Sequence, residues 1–381
     1  MVKRARTNHW ISRVFAVVMF MPLLSVTTVS ADPTLQTIDY YVQHRSLVPS
    51  MDGQIAQLYL REKVRQATLS GTESFEGRVV LFISGSYIPA EVAFDFNIDS
   101  YSWMAFLAAE GFDTFAIDIT GHGRSTRPHA MNDPCNLADD NRLAVGLPLE
   151  SCEPSYPYRI NTVDSEWADI NRVVDYIREL RGVSKLSLVG WSTGGLRAGG
   201  FAAKYPEKID RLVLFEPSYT RSLPSDPPPQ PPKEAGMRAF TGSAQSEGWL
   251  RQVKCSDQYD PAIDKLVWSE TIKSDAVGAS WGDGIVRGPR TARWFWNKDA
   301  ANGSNTPVLL LVGDHDNPFV DRALKLYEDS GADDKVIAYI ACASHFAQYE
   351  SSRNYLFDAS LQWLRDVSVN GVKNGRIRIG E

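Results

Sequence analysis

Leu186-Ser187-Leu188-Val189-Gly190-Trp191-Ser192-Thr193-Gly194 passes from an apolar run into a train of small residues, Gly195-Leu196-Arg197-Ala198-Gly199-Gly200, with no loop between them. The apolar run predicts a strand buried on both faces, and the small residues predict the start of a helix. A turn that abrupt forces its apical residue into strained backbone geometry. Glycines two positions before and two after it remove the Cβ atoms that would clash there. Ser192 is the apical residue, so its hydroxyl is expected to stand at the head of a helix as a nucleophile. The first amides of that helix, Thr193 foremost, would supply partial positive charge to an oxyanion.

Working outward from this turn, strands and helices alternate. Ile38 to Val48 and Gln54 to Val64 read as an antiparallel pair joined by Ser50-Met51-Asp52-Gly53, whose Asp-Gly dipeptide signals a hairpin. Arg78 to Ile83 is a continuous apolar strand ending in Ser84-Gly85-Ser86-Tyr87, a loop from which Ser86, or alternatively Tyr87, would donate a second oxyanion hydrogen bond. Tyr101 to Glu110 has helical spacing, and Phe112 to Asp118 is the next strand. The loop Ile119-Thr120-Gly121-His122-Gly123-Arg124-Ser125 lacks the third glycine of a dinucleotide turn, and His122 is expected to hold it by hydrogen bonds. Residues 127–158 read as a loop-like insertion rich in Pro and Asn. From Asp164 to Arg181, Trp167, Ile170, Val173, Val174, Ile177 and Leu180 form the apolar stripe of an amphipathic helix stopped by Gly182. After the helix that ends near Lys204 comes the strand Arg211 to Phe215. Such alternation means parallel βαβ units.

The pattern breaks between Ser218 and Thr306. This stretch opens with the proline-rich Pro224 to Pro232 and holds Trp249, Trp268, Trp281, Trp294 and Trp296, and it reads as a cap over the serine with those rings mostly in its own core. The domain expectation is therefore a core of residues 32–217 and 307–381 with a cap insertion at 218–306. The sheet resumes at Val308 to Val312, followed by Gly313-Asp314-His315-Asp316, a helix over about Val320 to Ser330, and a last strand, Val336 to Ala341, that ends in Ala343-Ser344-His345-Phe346. A final helix spans about Arg353 to Val367, and the tail beyond Val369 is expected to be loosely held.

An alcohol is a weak nucleophile at neutral pH, so Ser192 needs a base, and imidazole is the side chain suited to take its proton and return it. His345 is that candidate base. Asp316 is the candidate carboxylate behind it, with Glu216, after the strand that follows the serine, as the rival acid. Asp314 reads as a turn or surface acid. Tyr87, Trp191 and Phe346 adjoin these residues and are expected to shape the substrate pocket.

Gly190-Trp191-Ser192-Thr193-Gly194-Gly195, Asp118-x-x-Gly121-His122-Gly123-x-Ser125, Gly313-Asp314-His315-Asp316 and Ser344-His345, in this order, resemble the α/β-hydrolase superfamily and its capped esterase-like members. The resemblance covers most of the chain beyond its first 31 residues. It implies an α/β fold with a twisted, mostly parallel eight-stranded sheet flanked by helices, a helical cap, and a Ser-Asp-His triad on loops at the C-terminal ends of the strands. The implied chemistry is cofactor-free hydrolysis of a small-molecule carboxylic ester, of apolar or aromatic character, through an acyl-enzyme. Amidase, lactonase, thioesterase or C–C hydrolase chemistry on the same triad, and a non-catalytic ligand-binding module, are the alternatives. Serine at the turn departs from the aspartate of haloalkane dehalogenases and epoxide hydrolases. Ser84-Gly85 stands where many relatives have His-Gly, which keeps the backbone donor and changes the polarity beside it.

The first 31 residues carry Lys3, Arg4, Arg6 and Arg13 without an acid, an apolar stretch from Val14 to Leu24, and Val29-Ser30-Ala31 before Asp32. That is the pattern of a secretory signal peptide, and the apolar stretch is shorter than the roughly 20 residues that span a bilayer. A secreted or periplasmic protein is expected, without stable membrane insertion once the leader is cleaved. Removing four of 40 basic residues against 46 acids leaves a net charge of about −10, which disfavours nucleic acid as a partner. Export makes Cys135 and Cys152, which bracket the Pro- and Asn-rich insertion, a candidate disulfide; Cys255 and Cys342 are open between a second bridge and free thiols. Six histidines without metal-like spacing predict no metal site.

Overall fold

The computed structural model describes Met1 and residues 35–380 apart from 73, 99, 145 and 148–151. The expected leader lies outside the described residues, and the compact unit considered below runs from Asp32 to Glu381. Its main sheet contains nine strands in chain order: β1 Leu35–Arg45, β2 Ile55–Arg65, β3 Val79–Ile83, β4 Asp113–Ile117, β5 Leu186–Trp191, β6 Ile209–Phe215, β7 Val308–Gly313, β8 Lys335–Ile340 and β9 Asn374–Ile379. They lie side by side as β1-β2-β4-β3-β5-β6-β7-β8-β9. β1 and β2 are antiparallel, β2 joins β4 antiparallel, and every later pairing is parallel. The fold is that of an α/β-hydrolase.

The helices that position the site are α1 Trp103–Ala109, α2 Val163–Arg181, α3 Thr193–Lys204, α4 Gly242–Leu250, α5 Pro261–Lys273, α6 Asn317–Asp329 and α7 Arg353–Asp366. β3 and β7 contain only apolar residues and glycine, as do residues 188–191 of β5 and 212–215 of β6, because both faces are covered. Leu81, Leu188, Leu214 and Leu310 face one core, with Trp167, Ile170 and Val174 of α2 and Phe201 of α3. Phe82, Val189, Val213 and Leu309 face the other, with Trp103 of α1 and Trp363 of α7. Local chemistry sets the ends of α2: Thr162 and Ser165 form a reciprocal capping box, and Gly182 closes the helix at φ 63°. The buried stripe of α2 ends at Ile177, however, and Leu180 is exposed.

Two expectations require correction. The sheet has nine strands rather than eight, because the tail beyond Val369 is not loosely held. Its residues Asn374–Ile379 pair in parallel with Lys335–Ile340 as an edge strand. The alternating residues Asn374, Arg376 and Arg378 of that edge are polar, so a two-residue apolar period is visible only faintly in the sequence.

Between β6 and β7 the chain forms α4, α5 and a two-stranded antiparallel ribbon, Met237–Phe240 with Val286–Pro289, so this insertion is helical with a β-ribbon added. Trp249, Trp294 and Trp296 are buried, as expected of core rings, while Trp268 and Trp281 are half-buried.

Both disulfides form. Cys135 bonds Cys152, and Cys255 bonds Cys342, with Cα–Cα distances of 5.3 and 5.8 Å. The second bridge ties the insertion to the loop carrying His345 across 87 residues of sequence. Closing a loop of that length restricts the unfolded chain by about 4–5 kcal/mol on the chain-entropy account. A Cys255→Ser, Cys342→Ser protein should therefore lose about 2–5 kcal/mol in urea unfolding relative to the parent. Equal midpoints and slopes for the two proteins would contradict a structural role for the bridge.

Candidate active site

Ser192 adopts φ 58°, ψ −119° between the last residue of β5 and the first of α3. This is backbone that a non-glycine residue rarely adopts, held at about 1–3 kcal/mol of strain by its surroundings. The surroundings are close. A Cβ at Gly190 would lie 2.5 Å from the Gly194 carbonyl oxygen, and one at Gly194 would lie 2.0 Å from the Ile83 carbonyl oxygen of β3. Glycine is thus required at both positions by contact. The Ser192 amide donates to the Phe215 carbonyl at 2.9 Å, and the Ser192 carbonyl accepts from Gly195 and Ser218 at 3.0 and 2.9 Å.

The loop after β3 borders this turn. A Cβ at Gly85 would be 3.3 Å from Cβ of Ser192. The loop is clasped from α3 by Arg197, whose Nη1 donates to the carbonyls of Ser84 and Gly85, both at 2.9 Å. The same guanidinium holds Glu166 through two 2.9 Å bonds. Burial alone would raise the Glu166 pKa, but the Arg197 charge and hydrogen bonds outweigh it and hold the carboxyl at about 2. Ser86 Oγ and Thr193 Oγ1 are 3.0 Å apart. Among the described residues, the amides of Ser86, Tyr87 and Thr193 donate to no acceptor. Ser86 and Thr193 therefore present donors from neighbouring strand ends. The Tyr87 side chain leads elsewhere: its ring stacks on Phe240 at 4.2 Å and its hydroxyl donates to Gln245 at 3.2 Å.

His345 and Asp316 meet, with Nδ1 of His345 2.6 Å from Oδ2 of Asp316, whose side chain is almost fully buried. The His345 backbone is tied to the serine turn through Trp191, whose Nε1 donates to the His345 carbonyl at 2.9 Å, while among the described residues the ring itself hydrogen-bonds Asp316 and not Ser192. Glu216, the rival acid, does not bond His345. Its Oε1 accepts from the Gly313 amide at 2.5 Å. Asp314 lies towards the surface, 3.4 Å from His315 and 3.6 Å from Arg378.

Glu216 remains part of the same cluster, because one donor atom each from Glu216, Asp316 and His345 lies within 4.8 Å of the others. Burial, and then the Asp316 charge, push Glu216 well above the usual carboxylate range. A protonated Glu216 donating to Asp316 gives a partner to the two buried oxygens, Glu216 Oε2 and Asp316 Oδ1, that otherwise have none among the described residues.

Several positioning residues left no sequence signal. Gln252 of the insertion accepts from the His345 amide at 2.9 Å. Glu350 accepts from the Ser344 amide, the Ser344 hydroxyl, Trp249 Nε1 and Gln258. Arg197 could have been noticed as the one charge within a run of small residues.

His122 holds its loop through the backbone: its amide donates to the Ile119 carbonyl and its carbonyl accepts from the Ser125 amide, both at 3.0 Å. Its buried ring nitrogens have no partner among the described residues, and burial above all lowers its pKa to about 3, keeping the ring neutral. Asp118 holds the loop as well, accepting from the Ala90 and Arg124 amides at 2.8 and 2.9 Å.

A cavity of about 260 Å³ opens beside Ser86 and Thr193, lined also by Phe240, Pro289 and several arginines. Trp191 and Phe346 do not line it. Both are buried, and Phe346 stacks on Trp249 at 5.0 Å.

Residues 101–352 match the family described as serine aminopeptidase, S33. The chain is 30% identical over 131 residues to a (lyso)-N-acylphosphatidylethanolamine lipase of Mus musculus, a match covering 34% of this chain and 28% of that protein. In structure it is similar to carboxylesterase CesB from Bacillus subtilis (TM-score 0.50, 14% identity, 86% of this chain and 92% of that one). It is likewise similar to a serine hydrolase involved in carbazole degradation, CarC (TM-score 0.50, 16% identity, 86% and 99% covered).

The raised Glu216 pKa sets a pH dependence whose sign follows from linkage. The folded protein keeps a proton that the unfolded chain releases above about pH 4.3, so this group's contribution to stability is greatest below that pH and declines as pH rises towards the folded pKa. Glu216→Gln, which copies the protonated shape, should fall less steeply in Tm between about pH 5 and pH 8 than the parent. Parallel slopes would show that Glu216 is ionised in the folded protein.

Proposed function

The chain belongs to the serine aminopeptidase S33 family and has the α/β-hydrolase fold, and from that premise we propose that it is a serine hydrolase that cleaves carboxylic esters through an acyl-enzyme. The observation that carries the reading is the buried Asp316 bonded at 2.6 Å to His345, on a loop that Trp191 ties to the strained Ser192.

In this reading Ser192 Oγ attacks the ester carbonyl and passes its proton to Nε2 of His345. Asp316 holds the Nδ1–H tautomer and stabilises the imidazolium. The amides of Thr193 and Ser86 receive the negative charge that develops on the carbonyl oxygen. His345 then protonates the departing alcohol, and a water molecule activated by the same ring releases the acid and restores Ser192. The insertion of residues 218–306 acts as a cap, with Phe240, held from behind by the stacked Tyr87 ring, offering an aromatic surface to an apolar part of the substrate. Cleavage of the leader and export to an oxidising compartment are supported by the two disulfides. A named lipase among the matched relatives supports ester chemistry, over the part of its length that this chain covers.

The test is a panel of p-nitrophenyl esters of graded and aromatic acyl groups. Ser192→Ala and Asp316→Asn are each expected to lower kcat by about 10⁴-fold or more. Asp314→Asn is expected to keep the parent rate. A Ser192→Ala protein as fast as the parent, unlabelled by a fluorophosphonate, would remove the mechanism.

A further inference from the structure

The cavity beside Ser86 and Thr193 carries more positive charge than its own acids neutralise. Arg159, Arg197, Arg238, Arg290 and Arg293 all line it. Two carboxylates answer them. Glu166 is taken by Arg197, and Glu234 is shared by Arg159 at 2.6 Å and Arg290 at 3.4 Å. The guanidinium groups of Arg238 and Arg293 make no hydrogen bond or ion pair with any described residue; Arg238 is exposed, and Arg293 is half-buried. Chiefly burial, with some Arg197, Arg159 and Arg238 repulsion, pulls the Arg293 guanidinium down to about 10, where it still carries its charge at neutral pH. A guanidinium partly withdrawn from water and set among like charges is unfavourable unless an anion joins it. The concentration of charge also runs against the chain as a whole, whose net charge is −6.

We propose that this cavity is a subsite for an anionic group of the substrate, a carboxylate or a phosphate, received by Arg238 and Arg293 while the ester carbonyl sits at Ser192. The proposal rests on the ester-hydrolase reading and narrows it. Ser86 and Thr193 belong both to this wall and to the oxyanion donors, so an anion here and a carbonyl at Ser192 fall within one small molecule. Guanidinium forks pair with carboxylate and phosphate through two parallel hydrogen bonds, which also fixes orientation. Phe240 and Pro289, which line the same cavity, would take the apolar segment between the two groups. The acidic exterior would leave this cavity as the place where an anion is concentrated.

The experiment compares kcat/KM within matched pairs. The p-nitrophenyl half-ester of glutaric acid is set against p-nitrophenyl pentanoate for an anion on the acyl side. For the alcohol side, 4-carboxyphenyl pentanoate is set against 4-carbamoylphenyl pentanoate. The p-nitrophenyl ester of 4-phosphonobutanoic acid separates phosphate-like from carboxylate recognition.

At least one anionic ester should exceed its neutral partner by about tenfold. That ratio should fall about fivefold or more in the Arg238→Gln, Arg293→Gln double variant and be recovered only in part in Arg293→Lys, whose ammonium keeps the charge without the fork, while an unfolding midpoint equal to the parent's guards against a folding artefact. Equal or faster neutral esters in the parent, or a ratio unmoved by the double substitution, would overturn the proposal and leave the hydrolase reading intact. Should the parent turn over no ester, that reading fails, and calorimetric titration of Ser192→Ala with glutarate and inorganic phosphate decides the subsite alone. Binding that is lost with Arg293 sustains it; absence of binding overturns it.

Discussion

The constraint on which the site depends is the approach of Gly194 to the Ile83 carbonyl, where a single added methyl would lie 2.0 Å from the oxygen. It locks the turn at Ser192 against the end of the neighbouring strand β3. Everything at the site is arranged around that contact. Because β3 and β5 are adjacent, the loop leaving β3 must run beside the serine, where Gly85 borders Ser192 and the Ser86 hydroxyl lies 3.0 Å from that of Thr193. Arg197, one turn further along α3, then holds that loop by two of its carbonyls. A buried guanidinium is tolerable there because Glu166 neutralises it in bidentate fashion, so the pair acts as a clasp rather than as a source of net stability.

A second set of constraints is electrostatic. β6 and β7 end side by side, and each delivers a carboxylate, Glu216 and Asp316, to the same dry region. Two buried charges so close would repel strongly, and the arrangement is relieved if one proton lies between them. Asp316 keeps its other oxygen, Oδ2, for Nδ1 of His345. The histidine loop is held from the insertion as well, through Gln252, the Trp249–Glu350 bond and the Cys255–Cys342 bridge. Insertion and histidine loop are consequently coupled by polar, aromatic and covalent contacts at once.

Comparison of particular residues shows where sequence reading was strong. Continuous apolar runs such as Val79–Ile83 and Val308–Val312 can hardly be anything but central strands, since burial on both faces erases any polar alternation. The α2 helix was legible to within one residue, because its stripe and terminal glycine are local signals. The edge strand Asn374–Ile379 was not. Its polar, glycine-containing sequence is stabilised by pairing with β8, and pairing is a non-local fact. His122 was legible as a loop tether, which its backbone is, because that bonding is local; that its buried ring would be left without partners depends on distant packing.

From the chain alone, the Gly-x-Ser-x-Gly turn, its flanking strand and helix, and the order of serine, acid and histidine were determined, because each rests on local periodicity or on backbone geometry that only certain residues permit. The choice between Asp316 and Glu216 as the partner of His345, the second disulfide, and the arginines gathered from residues 159, 197, 238, 290 and 293 were decided only in three dimensions. Coulombic and hydrogen-bonding energies depend on distance in space, and residues more than a hundred positions apart acquire that distance only when the sheet and its insertion close around them.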